Sequence, residues 1–344
     1  MSQDSTNLDM LRSFAVLLVL FDHTLKFLGF SHFGHEDTDW IGRLGVVFFF
    51  VHTSLVLMMS LEREKLLGWR RPVNFYIRRA FRLFPLSCFV VLFTFAAHIP
   101  QIAIYPGGFV SAYIPRIVLA SNLMLTQNLI PSGFNILGQL WSLPIELDMY
   151  LVLPLLFVLA LRWPRGVLLS AWPVAVALAL TQNHFSHLWR LNFLYYAPCF
   201  VPGVMAYAIP RRVAPKLNSW MWPVFLLGLL TVFLSHSTWQ FSWLIALIVG
   251  LSIPFFVEQT NSFVNKLAHR IAKYSYGIYL GHTLCIWTAF SYLHFLPQWL
   301  QWLTFISLLI AIPYFYFITI ERPGIYAGKR ISNWLTVPPV ALGR

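Results

Sequence analysis

Apolar residues run along this chain in long blocks, and the polar positions between them are few enough to mark its topology. A helix needs about 20 predominantly apolar residues to cross the hydrocarbon core of a bilayer. Ten segments are long and apolar enough, at about 8–30, 41–61, 83–104, 141–161, 166–182, 191–210, 220–235, 239–257, 274–296 and 299–320. The stretch 105–140 differs. It holds Tyr105-Pro106-Gly107-Gly108, Pro115, Pro131 and Gly133 around an apolar run from Ile117 to Ile130 that is short for a crossing. It reads as a re-entrant or surface segment covering a cavity. The pattern predicts an all-α polytopic membrane bundle of about ten transmembrane helices, with a tail at 1–7, a membrane unit at 8–323 and a tail at 324–344.

Composition agrees, with 58% hydrophobic residues, 10% charged residues and a mean hydropathy of +0.68. The net charge of +12 would suit nucleic acid if it were gathered on one soluble module, but the basic residues lie in loops between apolar spans. Nucleic acid is therefore not an expected partner; the lipid bilayer is. With the N-terminus inside, 19 of the 24 Lys and Arg residues fall in inner loops, and Lys26, Arg43, Arg116 and Arg190 remain outside. That asymmetry predicts that both termini are cytoplasmic. No basic n-region or A-x-A site flanks the first helix, which is expected to be retained. Cys88, Cys199 and Cys285 sit in apolar spans without metal-ligand or disulfide spacing and read as small core residues; no metal site is expected.

The first span, LDMLRSFAVLLVLFDHTLKFLGF, carries Asp9, Arg12, Asp22, His23 and Lys26. A charge at mid-membrane costs about 2.5–3.5 kcal/mol on insertion scales, so such groups usually face a bundle interior or wet cavity. Arg12 and His23 are eleven residues apart. At about 100° per residue they return to within roughly 20° of one face, about 16 Å apart along the axis. An interhelical hydrogen bond would account for a lone His, and snorkelling for a lone Arg. Together, with Asp22 adjacent, they read as a site for a long anionic ligand.

Three further stretches carry candidate chemistry. NFYIRRAFRLFPL puts Arg79 and Arg82 on one helical face at the membrane entry, where guanidinium forks suit phosphate; Arg70, Arg71 and Arg78 read as membrane anchors. GQLWSLPIELDMYLVLPLL places Trp141, Glu146 and Asp148 at the expected outer end of a span. A Trp there also suits the aromatic belt. KYSYGIYLGHTLCIW brings Tyr279 and His282, which a Tyr belt and a satisfied core histidine explain well enough alone. Glu321-Arg322-Pro323 reads as a helix stop with an interfacial ion pair.

These blocks, in this order, resemble the acyltransferase 3 family of multi-pass membrane acyltransferases that acylate surface and secreted sugars. LDMLRSFAVLLVLFDH is similar to its R-x10-H block at Arg12 and His23, RRAFRLFP to its R-x-x-R block at Arg79 and Arg82, and WSLPIELDMYLVLPLL to its Trp-Ser-Leu-x-x-Glu block at Glu146. YSYGIYLGH and ERP resemble its late Tyr-rich helix and closing Glu-x-Pro. The chain departs from the pattern at His52, Thr53, Ser54, Pro144 and Leu147, which bear on the acceptor. It resembles the stand-alone members, without an SGNH-type domain.

The resemblance implies a bacterial inner-membrane O-acyltransferase with acetyl-CoA, or another acyl-CoA, as donor and a saccharide hydroxyl as acceptor. His23 and Glu146 are then the catalytic candidates, with Glu146 orienting His23 or the acceptor. Arg12, Arg79 and Arg82 hold the donor, and Asp22, Trp141, Asp148, Tyr279 and His282 border the acceptor. A transporter of polysaccharide or lipid-linked sugar is the alternative from another class, against which no pair of broken helices stands in corresponding halves. An accessory subunit with a degenerate site is a third. The topology is testable with single cysteines. A cysteine at Ser31 should react with an impermeant thiol reagent from outside and one at Ser219 should not; the reverse pattern inverts the orientation.

Overall fold

The computed structural model describes residues 5–30, 32–33, 36–64, 66, 68–97, 99, 114–130, 135–184, 192–209 and 214–336. Among them the fold is helical apart from a hairpin of two-residue strands, His32–Phe33 paired antiparallel with Glu36–Asp37, and one isolated bridge. The first helices are α1 (Thr6–Phe27), α2 (Asp39–Arg63), α3 (Arg70–Ala96), the short α4 (Arg116–Met124) and α5 (Ser142–Arg162). There follow α6 (Pro164–His184), α7 (Phe193–Ala208), α8 (Met221–Leu234), α9 (Trp239–Ser252) and α10 (Ser262–Ile286). The last are α11 (Gln298–Tyr316) and α12 (Arg322–Thr336).

Each of the ten expected segments overlaps one of these helices, with 98, 100–104, 191 and 210 outside the described residues. Five helical stretches are long and apolar enough to cross a membrane by length and composition: Asp39–Arg63, Arg70–Ala96, Gly138–Arg162, Pro164–Gln182 and Gln298–Trp334. In the stretch expected to be re-entrant, α4 has nine residues. At about 1.5 Å per residue it is too short to cross. It ends at Leu125, buried with φ +54°, and lies against α3 through Cys88 Sγ and the Leu123 carbonyl, 3.4 Å apart. Tyr105 to Gly108, Pro131 and Gly133 lie outside the described residues, as do Lys65, Arg190, Arg211, Arg212 and Arg344 of the charge asymmetry.

One end of the bundle is tied by the start of α1. Ser5 caps the helix by accepting from the Leu8 amide, and Glu258 accepts from Ser5 Oγ, Thr6 Oγ1 and the Asn7 amide at 2.7–3.0 Å. Asn261 caps α10 nearby. A side-chain cap contributes about 1 kcal/mol. These bonds gather the starts of α1 and α10 with the end of α9, as alternating crossings require.

Two pairs of glycines four residues apart set the remaining layout. Gly277 and Gly281 of α10 face Pro313, Ile312 and Tyr316 of α11, and Gly324 and Gly328 of α12 face Phe81 and Pro85 of α3. Inside lipid there is no hydrophobic drive between helices, so small residues that let backbones meet supply the packing. The expected stop at Glu321-Arg322-Pro323 is not made. The helix continues from α11 through i→i+5 turns at Phe317–Glu321 into α12, and Glu321 faces Arg82 rather than an interface. The wider turns shift the carbonyls ahead of Pro323, so the ring does not break the ladder. The boundary expected at 323 therefore lies within one helix, and 324–336 packs along α3 instead of trailing as a tail; 337–344 lie outside the described residues.

A Cβ at Gly324 would stand 2.8 Å from the Phe81 carbonyl oxygen, a backbone atom, whereas nothing lies within 4 Å of a Cβ at Gly228. Gly324→Ala should lower stability in detergent by about 1–3 kcal/mol through overpacking. Gly228→Ala should be neutral or stabilising, since alanine is the better helix former. Equal melting of the two variants would refute the close approach of α12 to α3.

Candidate active site

Arg12, Arg79 and Arg82 arrive from two helices at one cavity with about 750 Å³ of empty space between α1, α2, α3, α5 and α10. Each has a different hold. Arg12 Nε donates to Ser275 Oγ at 2.6 Å, and that hydroxyl gives its own proton to the Ala272 carbonyl at 2.8 Å. Arg82 stands 3.7 Å from Glu321, whose side chain is fully buried. Arg79 is held only by its surroundings, and its buried Nε has no hydrogen-bond partner. Breaking such a pair by removing one partner leaves an uncompensated buried charge. The other loop arginines turn elsewhere: Arg78 to Glu64 at 3.8 Å, Arg71 over Phe157 and Arg70 over Trp69.

Glu146 lines the same cavity and accepts from the Tyr150 hydroxyl one turn on. It is therefore not at an outer surface. The turn Gly138–Trp141 that leads into α5 is buried against α10, where Gln139 Nε2 donates to Thr283 Oγ1 at 2.9 Å and to the Leu280 carbonyl at 3.2 Å. This sinks the start of α5 into the bundle, level with Arg12. Glu146 accordingly does not meet His23, because helix one carries His23 about 16 Å further along its axis.

His23 meets His282 instead, with Nδ1 and Nε2 2.6 Å apart. Neither lines the cavity. Tyr279, which does, packs on His282 with ring centroids 6.2 Å apart and forms the wall between. Its hydroxyl donates to the Gln139 carbonyl at 2.6 Å and accepts from Ser142 Oγ at 2.7 Å. Beyond the histidines Lys26 bridges Asp22, at 2.8 Å, and Asp39, and Arg43 stands 3.6 Å from Asp39. Asp148 accepts from Asn128 at 2.9 Å, and Trp141 packs on Tyr196; these two do not reach the cavity.

Of the residues singled out from sequence, Arg12, Arg79, Arg82, Glu146 and Tyr279 are thus brought to one cavity, and His23, His282 and Asp22 cluster behind it. Sequence reasoning missed Tyr150, Ser142, Ser275 and Tyr276 as lining residues, since hydroxyls in apolar helices carry no periodic signal. His52 also lines the cavity and is buried. Its sequence signal was an imidazole inside an apolar helix, at one of the positions where the chain departs from the family pattern. Among the described residues no cluster of metal ligands is found.

A family profile described as an acyltransferase domain, acyltransferase 3, matches residues 5–320. Nodulation protein 10 of Rhizobium leguminosarum bv. viciae is 25% identical over 357 residues, covering 92% of this chain and 92% of that protein. No solved structure matches. A buried, arginine-lined cavity in a helical membrane bundle and a family match over nearly the whole chain agree: the chain belongs to the acyltransferase 3 family and is a membrane acyltransferase.

Proposed function

We propose that the protein moves an acyl group, acetyl in the simplest case, from acyl-CoA to a hydroxyl of a saccharide or glycoside. The observation that carries this reading is the cavity lined by three guanidinium groups, one of them with an unpartnered buried Nε. Guanidinium forks match phosphate oxygens in bidentate fashion. Three cations face one carboxylate on the lining, so the cavity favours an anion. Arg12, Arg79 and Arg82 hold the phosphates at the cytoplasmic side, Ser275 and Glu321 fix two of the forks, and His52 offers a neutral hydrogen-bonding group beside them.

Acyl-CoA supplies an activated thioester carbonyl. His23 Nε2 takes the proton of the acceptor hydroxyl as its oxygen bonds to that carbonyl carbon and the C–S bond breaks. The proton then passes to the departing thiolate, which restores neutral His23. The spacing of about 16 Å along α1 between Arg12 and His23 suits a donor with its anionic end at one group and its reactive end near the other. The saccharide class of the acceptor rests on the family resemblance.

Arg79→Ala and Arg82→Ala should each weaken acyl-CoA binding about tenfold or more, the value of a charged hydrogen bond, whereas Arg70→Ala should leave it unchanged. Titration calorimetry in detergent reads this directly, and wild-type affinity should fall with added salt. Equal losses at all three positions would indicate folding damage and remove the phosphate assignment.

His23→Ala should abolish acyl transfer to a glycoside while leaving membrane levels and acyl-CoA binding intact. His23→Gln should not restore it, because an amide hydrogen-bonds but cannot take up the proton. Arg12→Lys should lose activity through weaker donor binding, since an ammonium lacks the planar fork. An active His23→Gln enzyme would eliminate His23 as the base.

A further inference from the structure

The two histidines hold each other in a defined way. Their ring centroids are 4.9 Å apart and their planes 19° from parallel, while the facing nitrogens are 2.6 Å apart. That separation is about as large as two ring radii plus the nitrogen–nitrogen distance permit. The contact is therefore edge to edge along the line of centres, an in-plane hydrogen bond and not a face-to-face stack.

Partners on either side fix which atom carries each proton. His282 Nδ1 lies 3.1 Å from the Ile278 carbonyl oxygen, which can only accept, so the proton of His282 is on Nδ1. Its Nε2 in the neutral ring is then an acceptor, and the proton between the rings belongs to His23 Nδ1. Consequently His23 Nε2 is left with its lone pair. Asp22 Oδ2, which accepts from Lys26, lies 3.7 Å from it, too far for a hydrogen bond. Both histidines are buried, so no bulk water competes for these positions.

We propose that His282 is a positioning residue that sets the tautomer of His23, so that His23 presents an unprotonated Nε2 to the acceptor hydroxyl. This rests on the reading of His23 as the base. When Nε2 takes up the hydroxyl proton, the Nδ1–H bond to His282 remains and orients the imidazolium. No atom of His282 touches the reacting groups. The role is the one a carboxylate or carbonyl takes beside a catalytic histidine, here filled by a second imidazole whose own tautomer is locked by a helix carbonyl.

The test pairs chemistry with spectroscopy on the full-length protein in detergent. His282→Ala should lower kcat for acyl transfer by about 100-fold or more, with KM and Kd for acetyl-CoA unchanged. His282→Gln keeps an acceptor oxygen near the place of Nε2 and should recover at least a tenth of wild-type activity. If His282→Gln and His282→Ala are equally impaired, or neither is impaired, the positioning role is wrong. Nitrogen-15 spectra of histidine-labelled protein, with the His23 signal assigned by its loss in His23→Gln, report the tautomer without any substrate. The proposal expects His23 as the Nδ1–H tautomer in wild type and a redistribution toward Nε2–H in His282→Ala. A wild-type His23 protonated on Nε2 would overturn it. A protein that shows the expected tautomer but transfers no acyl group would instead overturn the acyl-CoA reading.

Discussion

Three guanidinium groups inside an apolar bundle are the constraint on which the rest of this structure depends. A buried cation is costly unless it is paired or serves a ligand. Here, among the described residues, Arg12, Arg79 and Arg82 have Glu146 on the lining and Glu321 behind it as opposing carboxylates. Hydroxyls make up part of the difference: Ser275 receives Arg12, and Tyr150 steadies Glu146. Arg79 keeps an unpartnered Nε. Such a site persists because the surrounding packing fixes it, and its residual positive charge is available to an anionic ligand.

The packing that fixes it comes from close contacts between helices with small residues. Gly324 and Gly328 bring α12 against Phe81 on α3, the helix that holds Arg79 and Arg82, and so carry Glu321 to Arg82. Gly277 and Gly281 set α10 against α11 with Ser275, Tyr279 and His282 turned to the other side. The Tyr276 hydroxyl then ties α10 to the Leu83 carbonyl of α3 at 2.8 Å. The missing side chains at Gly324 and Gly328 let α12 lie close enough to α3 to bring Glu321 to 3.7 Å from Arg82.

Much of this was legible in the chain, and what was not has a physical reason. Apolar run length gave the helices, since hydrocarbon admits few alternatives. The 3.6-residue period placed Arg12 and His23 on one face, and the spacing of three placed Arg79 with Arg82. The depth of Glu146 was misjudged because local sequence does not reveal that the turn before α5 is buried by Gln139 against α10. Glu321-Arg322-Pro323 read as a stop because a proline usually ends a helix, and the wider turn that accommodates it has no sequence signature. The His23–His282 bond joins residues 259 apart, a separation beyond any periodic argument.

The two ends of α1 differ in charge, and on the proposed reading this bears on how one protein handles two unlike substrates. Around Arg12 the cations outnumber the carboxylates, whereas Asp22 and Asp39 are matched by Lys26 and Arg43 beyond His23. The first region favours a polyanion; the second, where Asp37 adds a third carboxylate beside Asp39, does not, and on the proposed reading it takes the neutral hydroxylated acceptor. Between them stands Tyr279, held by Gln139 and Ser142 on one side and packed on His282 on the other. On the proposed reading this places a single aromatic wall between the phosphate-binding space and the base. Transfer then requires only that the thin reactive end of the donor pass Tyr279, while its charged end stays where the arginines are.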